Sequence, residues 1–294
     1  MLIMGDTIID STWYVNAIKL SPEAPIPTVY LGSPDPILTP GGASLAAAFA
    51  NRHSLESMFV TTIEDRFCKW LQSKGIDIVS LADNYNIVKT RYIDIGSGYH
   101  MLRVDNDSIV TPHFVYPLEI KNKLTDIIET NKISCITILD YQKGMFNVEE
   151  TCHTIISIAN KNNIPVYVDT RGDPLKYIGC DFIKLNEKEY NAAASKLNIN
   201  SPLQLTKKLN VKAVIVTKGK NGASIYTSDG KTEYKYVPDL RKYNGTPDVT
   251  GCGDVFDINF CYNRFIEGFS PTKSLKLSVE KATKYAYELV SDRL

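Results

Sequence analysis

Apolar residues in this chain gather into short unbroken runs bounded by turn residues, and between the runs apolar positions recur with helical spacing. The runs Met58 to Thr62, Ile133 to Leu139, Val166 to Val168, Phe182 to Leu185 and Ala213 to Thr217 predict buried strands. Helical spacing predicts helices over Gly42 to Arg52, Asp65 to Ser73, Pro117 to Asn131, Val148 to Lys161 and Pro202 to Leu209. Such alternation predicts an α/β fold: a mostly parallel central sheet covered by helices on both faces, with ligands at the carboxyl ends of the strands. Two stretches break the pattern. Asp10 to Leu31 and Lys89 to Val104 are rich in Thr, Tyr, Val and Ile without helical spacing, and Gly96-Ser97-Gly98 predicts a hairpin turn. They predict a small separate sheet; an edge extension of the main sheet is the alternative.

Length and charge narrow the picture. The 294 residues suit one large α/β domain, and no compositional hinge divides them. Lys plus Arg balances Asp plus Glu at 33 each with no sustained run of one sign, so a nucleic-acid or membrane-surface partner is not expected. No apolar stretch is long enough to span a bilayer. The cysteines at 68, 135, 152, 180, 252 and 261 show no Cys-x-x-Cys pair, and Met1-Leu2-Ile3-Met4 is too short for a signal sequence. A reduced, cytoplasmic protein with a small-molecule substrate is expected.

The most informative local motif is Asp248-Val249-Thr250-Gly251-Cys252-Gly253-Asp254, a glycine-bracketed turn opening an apolar helical stretch at Val255. Backbone N–H groups at a helix start, with no side chain at Gly251 or Gly253, form an anion pocket that suits a transferring phosphate. Asp254 is placed to take a proton from an attacking hydroxyl. The plainer reading is a tight loop-to-helix turn with Asp254 favoured by the helix dipole. Cys252 as a nucleophile is disfavoured, since no His–Asp partnership is visible, and Asp248 reads as a loop-ordering residue. Asn186 and Glu189 have the spacing of an ordinary capping box. Thr217, Gly219 and Gly222 follow a buried strand in a way that suits either nucleotide phosphates or a hairpin connection. Asp6 and Asp10 flank the end of the first strand as candidate acceptors for sugar hydroxyls, with Asp10 preferred. Lys89, Arg91 and Arg103, on the small sheet, suit a phosphate already on the substrate or else a solvated strand face. Lys143 and Arg171 follow buried strands and are candidates to neutralise nucleotide phosphates. The four histidines show no metal-ligand spacing.

The Asp248–Asp254 turn resembles the Asp-Thr-x-Gly-Ala-Gly-Asp signature of the ribokinase/PfkB carbohydrate kinases, with Cys252 where alanine is usual. Further segments agree in order: Pro40-Gly41-Gly42-Ala43, Asp140-Tyr141-Gln142-Lys143-Gly144, Val168-Asp169-Thr170-Arg171-Gly172, Asn186-Glu187-Lys188-Glu189 and Thr217-Lys218-Gly219-Lys220-Asn221-Gly222. Gly5 to Asp10, Trp13-Tyr14 and Ser21 to Pro27 resemble the heptose-7-phosphate kinase branch, which serves lipopolysaccharide and capsule precursor synthesis. The resemblance implies a single ribokinase-like domain over 1–294 with a lid formed by about 11–38 and 87–105, able to supply a homodimer contact. It implies ATP-dependent phosphorylation of a sugar or sugar phosphate, with heptose 7-phosphate as substrate and the sugar 1-hydroxyl as acceptor. Asp254 would be the base, and Gly251, Cys252 and Gly253 would cradle the phosphoryl group. Asn186 and Glu189 would hold Mg²⁺ through water, and Thr217, Gly219, Gly222, Lys143 and Arg171 would meet ATP. Asp6, Asp10, Gly41, Gly42, Lys89, Arg91, Arg103 and Asp140 would meet the sugar phosphate. The chain departs from the family at Leu45, where an asparagine usually touches sugar hydroxyls, and at Arg171, where lysine is usual. Leu294 falls inside the expected last helix, so the glycine loop that relatives place beside adenine is expected to be missing, and no nucleotidyltransferase domain is expected. A kinase for another sugar-like acceptor, or a silent binding module of this fold, is the alternative.

Overall fold

The parallel strands of the main sheet are mainly apolar, and all but the first, Leu2-Ile3-Met4-Gly5, end on a polar residue, so the sheet's carboxyl edge is largely polar by construction. The computed structural model describes residues 1–82, 86–110, 113–230, 233–245 and 247–288. The large sheet contains β1 (Leu2–Gly5), β5 (Met58–Thr61), β6 (Ile78–Ser80), β9 (Ile136–Asp140), β10 (Val166–Thr170), β11 (Phe182–Asn186), β12 (Ala213–Thr217), β13 (Ala223–Thr227) and β14 (Glu233–Tyr236). Their order is β14-β13-β12-β11-β10-β9-β1-β5-β6, parallel from β12 to β6 and antiparallel at β13 and β14. The register aligns Thr170 with Asp140 and Asn186 with Thr217, which lines up the strand ends that build the site.

Period-two alternation divides the core between the two faces. Ile3, Leu139, Tyr167, Phe182 and Ile215 pack with α1 (Ala43–Arg52), α7 (Cys252–Cys261) and α8 (Pro271–Tyr287). Leu2, Met4, Ile138, Val168, Ile183 and Val216 face the other way, toward α3 (Pro117–Thr130), α4 (Glu149–Lys161) and α6 (Pro202–Leu209). The remaining helices are α2 (Asp65–Ser73) and α5 (Glu187–Leu197). The expected strands and helices are all present, with ends moved by at most three residues. The antiparallel strands β13 and β14 add to the expected set, because the glycine loop after β12 turns the chain straight back.

The two irregular stretches form most of a separate sheet of β2 (Thr7–Leu20), β3 (Pro27–Leu31), β4 (Ile37–Gly42), β7 (Ile87–Asp94) and β8 (His100–Asp105), in which β4 comes from beyond the expected stretches. The hairpin expected at Gly96-Ser97-Gly98 joins β7 to β8. Pairing Asp10 with Lys89, Lys89 with Asp105 and Arg91 with Arg103 puts these charged residues on one face of the small sheet. The double glycine ends β4, and Gly42, at φ 57°, turns the chain into α1. All six cysteines are free. Among the described residues no helix is long and apolar enough to cross a membrane. The expectation for the end of the chain falls partly on 289–294, outside the described residues.

Candidate active site

The start of α7 and the end of β9 together make the reactive corner. Gly251 caps α7 at φ 78°, and a Cβ there would lie 2.4 Å from the Leu45 methyl carbon Cδ2, so only glycine fits this turn. The N–H of Cys252 is spent on the Val249 carbonyl (3.2 Å), whereas among the described residues the N–H groups of Gly253 and Asp254 have no partner. These two donors, rather than that of Cys252, are open to an anion. Asp248 accepts from the Thr250 N–H (3.0 Å) and orders the loop.

Asp254, in the first turn of α7, is buried and accepts a hydrogen bond from the Tyr141 hydroxyl. Burial raises its carboxyl from 3.8 to about 6; the charge of Asp169 adds to the rise, while the Tyr141 bond, Lys184 and Arg171 oppose it. Such a carboxylate is ionised at neutral pH yet basic enough to take a proton. Tyr141 stays protonated, its hydroxyl pushed well above its ordinary range by burial and by the Asp254 charge. The Arg171 guanidinium stacks over the Tyr141 ring, 4.0 Å from its centroid.

Asp254 opens onto a cavity of about 1080 Å³ that also receives Arg171, Asn186, Glu189, Thr217, Gly219, Gly222 and the Gly251–Gly253 turn. Four of the five residues expected to meet ATP therefore converge there, together with the two expected to hold its metal. No histidine lines it. The capping-box reading of the Asn186 pair holds. Asn186 accepts from the Glu189 N–H (2.9 Å) and Glu189 from the Asn186 N–H (2.7 Å), a complete capping box whose side chains still face the cavity. The glycine loop after Thr217 is likewise a hairpin connection that lines the cavity. Gly222, at φ 78°, sits where a Cβ would overlap the Tyr236 carbonyl at 1.8 Å.

A divalent cation fits this donor set only indirectly. Among the described residues no three His, Cys, Asp or Glu side chains are placed to hold a metal. One oxygen of Asp169, in the same cavity as Glu189 and Asn186, is buried without a hydrogen-bond partner. Hard oxygen donors too few to form a cage suit Mg²⁺, which keeps most of its water shell.

Other expected contacts lie elsewhere. Asp6 is fully buried, and its carboxylate accepts from the N–H groups of Tyr141 (3.0 Å), Lys143 (3.0 Å) and Met145 (3.1 Å). It therefore ties the 141–145 loop to β1 rather than meeting a sugar. Asp140, expected on the substrate side, is also buried, accepting from Gln142 N–H (2.8 Å), Thr170 (2.9 Å), Tyr177 (2.7 Å) and Lys176 (3.3 Å). Lys143 is absent from the cavity lining and pairs with Asp107. Asp10, expected beside the end of the first strand, lies within β2 of the small sheet: one oxygen accepts from Arg91 (2.6 Å), and the other packs so close to Gly41 that a Cβ there would be 2.5 Å away. Lys89 lies 3.7 Å from Asp105 and 3.9 Å from Asp107, and Arg103 grips Asp105 with two bonds. Tyr141, Asp169 and Lys184 join the site without having been expected there. The first two lie inside recognised segments, and Lys184 is signalled only as a lysine in an otherwise apolar strand.

Residues 39–292 match the family described as "pfkB family carbohydrate kinase". The chain belongs to that family. It is a carbohydrate kinase, and the family supports ATP as phosphoryl donor. Among curated relatives, the "Bifunctional protein HldE" of Nitratiruptor sp. is 29% identical over 86% of this chain and 54% of its own length. That of Hydrogenovibrio crunogenus is 26% identical over 96% of this chain and 58% of its own length. The chain thus spans about half the length of the curated relatives it matches. Of solved structures, phosphofructokinase-2 from Escherichia coli in complex with potassium matches with a TM-score of 0.74 at 15% identity, covering 97% of this chain and 93% of that one. Arabidopsis thaliana ribokinase complexed with ribose and ATP matches at 0.67 and 15% identity, covering 97% and 91%. The shared ribokinase-like fold includes the large mostly parallel sheet and the second small one.

Proposed function

We propose that this carbohydrate kinase transfers the γ-phosphoryl group of ATP to the 1-hydroxyl of heptose 7-phosphate, in the synthesis of surface-glycan precursors. The observation that carries the transfer step is the placement of a buried basic carboxylate, Asp254, beside the unpaired N–H groups of Gly253 and Asp254. Asp254 takes the proton of the sugar hydroxyl, the new oxygen–phosphorus bond forms, and the bond to the bridging oxygen of ADP breaks. The free N–H groups and Arg171 stabilise charge on the phosphoryl oxygens. Tyr141 holds the Asp254 side chain in one orientation. Asn186, Glu189 and Asp169 would hold Mg²⁺ through water, and the ion would neutralise donor phosphate charge. Thr217, Gly219 and Gly222 border the nucleotide side.

On the acceptor side, Asp10 would take sugar hydroxyls, while Lys89, Arg91 and Arg103 on the same sheet face would meet the 7-phosphate. The small sheet would act as a lid that excludes water, which competes for the phosphoryl group. Its exposed Leu102 and Val104, on the face opposite the charges, support a homodimer through the lid. A cytoplasmic location suits the substrates. The heptose assignment rests on the Gly5 to Pro27 resemblance and on kinship with HldE proteins. Leu45, buried against the Gly251 turn where it offers no hydrogen bond, favours a second reading, in which another sugar phosphate is the acceptor. ADP release with MgATP across free sugars and sugar phosphates tests both. Turnover on heptose 7-phosphate alone supports the first, turnover on another acceptor replaces it with the second, and silence across the panel refutes both.

A further inference from the structure

Beside the phosphate turn lies a buried charge cluster, two of whose members, Lys184 and Asp257, have no part in the transfer step as written so far. Lys184, on β11, is only 5% exposed and lines the cavity. Its ammonium lies 2.7 Å from an Asp169 oxygen and 3.3 Å from an Asp257 oxygen. Asp257 is fully buried, and its other oxygen accepts from the Tyr167 hydroxyl (2.7 Å). It stands three residues after Asp254 on α7, so both carboxylates project from one face of the helix. An ammonium has three N–H donors. Two are accounted for, and among the described residues the third has no partner. The same nitrogen is 3.6 Å from where a Gly253 Cβ would be, at the edge of the anion turn.

A lysine held only for stability would be a poor arrangement, since apolar residues of similar volume fill such a site as well or better. Two carboxylates, those of Asp169 and Asp257, flank this ammonium and offset the burial of its charge. The cluster therefore fixes a permanent positive charge with a spare donor next to Gly253.

We infer that Lys184 is a further catalytic residue that donates to the phosphoryl group in flight, and that Asp257 is the positioning residue that aims it. This rests on the kinase reading above. The expected step is unchanged in its atoms; Lys184 adds a donor to the phosphoryl oxygens and loses no proton.

The test is steady-state kinetics of the full chain with MgATP and its best acceptor, together with binding of ADP alone and of ADP with aluminium fluoride. Lys184→Met/Asp257→Leu removes the cation together with Asp257, one of its two buried counter-charges. It is expected to lower kcat on the order of 100-fold, with the acceptor KM little changed and ADP–aluminium fluoride binding weakened more than ADP binding. Asp257→Asn keeps shape and an acceptor for Tyr167, so it reads the positioning role even if the double variant is unstable; kcat should fall severalfold at constant KM. A double variant that turns over like the parent, or an Asp257→Asn enzyme with unchanged kcat and aluminium fluoride affinity, would overturn the inference while leaving the kinase reading intact. A parent protein silent on every acceptor would sink the kinase reading first and this inference with it.

Discussion

Replacing Asp254 by asparagine should abolish turnover and at the same time stabilise the fold. The folded protein holds this carboxyl at about 6 against 3.8 for an exposed aspartate, chiefly through burial. A group whose pKa is raised on folding adds no penalty below 3.8, becomes progressively more costly as pH rises through about 6, and costs its full amount above that. At about 1.4 kcal/mol per factor of ten, the rise corresponds to about 3 kcal/mol at pH 8. Asparagine closely matches the protonated carboxyl in shape and can still accept from Tyr141, so Asp254→Asn should recover most of that cost. Thermal denaturation at pH 8 should show a melting temperature higher by on the order of 5–10 °C, with the gain fading toward pH 4. Turnover should drop by a factor on the order of 10²–10⁴, as expected for loss of a general base. A variant destabilised at pH 8, or one whose stability difference is the same at every pH, would refute the idea that burial sets the base.

Four further outcomes follow from the same structure. The pH profile of kcat/KM should fall as pH drops through about 6, because the base must be ionised; Tyr141→Phe removes a hydrogen bond that lowers the Asp254 pKa and should move this acid limb to higher pH, measured by initial rates from pH 5 to 8. Gly251→Ala should cost roughly 1–3 kcal/mol in denaturant titration, through positive φ and collision with Leu45. Gly253→Ala, whose Cβ would meet only Lys184 at 3.6 Å, should fold normally and lose turnover by crowding the phosphate. Leu102→Glu/Val104→Glu should convert a dimer to monomers in sedimentation velocity, and a parent that is already monomeric would rule out the lid contact.

Much of this architecture is legible in the sequence because its signals are local. The β-branched runs around Ile138, Val168 and Val214 could hardly form anything but buried strands, and the Asn186–Glu189 spacing announces the start of α5 as well as a cavity edge. The roles of carboxylates are harder to read. Asp6 sits just beyond the end of β1, Asp140 at the end of β9 and Asp10 within β2, yet the direction each carboxylate faces depends chiefly on residues of other elements, 30 or more positions away. Asp6 turns to the amides of 141–145 and Asp140 to Tyr177 and Lys176, while only Asp10 meets the charged face of the small sheet. Lys143 departs from its expected place for the same reason, since its partner Asp107 comes from beyond β8. Lys184 is hidden in the apolar run of a strand, and the carboxylates that give it a role lie on β10 and α7.

Passage of phosphorus from ATP to a sugar phosphate can be followed by phosphorus NMR of the full chain with MgATP and heptose 7-phosphate. A new anomeric phosphate resonance should grow in step with ADP and be absent with Asp254→Asn. ADP appearing only with inorganic phosphate, or no change in the ATP signals, would overturn the assignment.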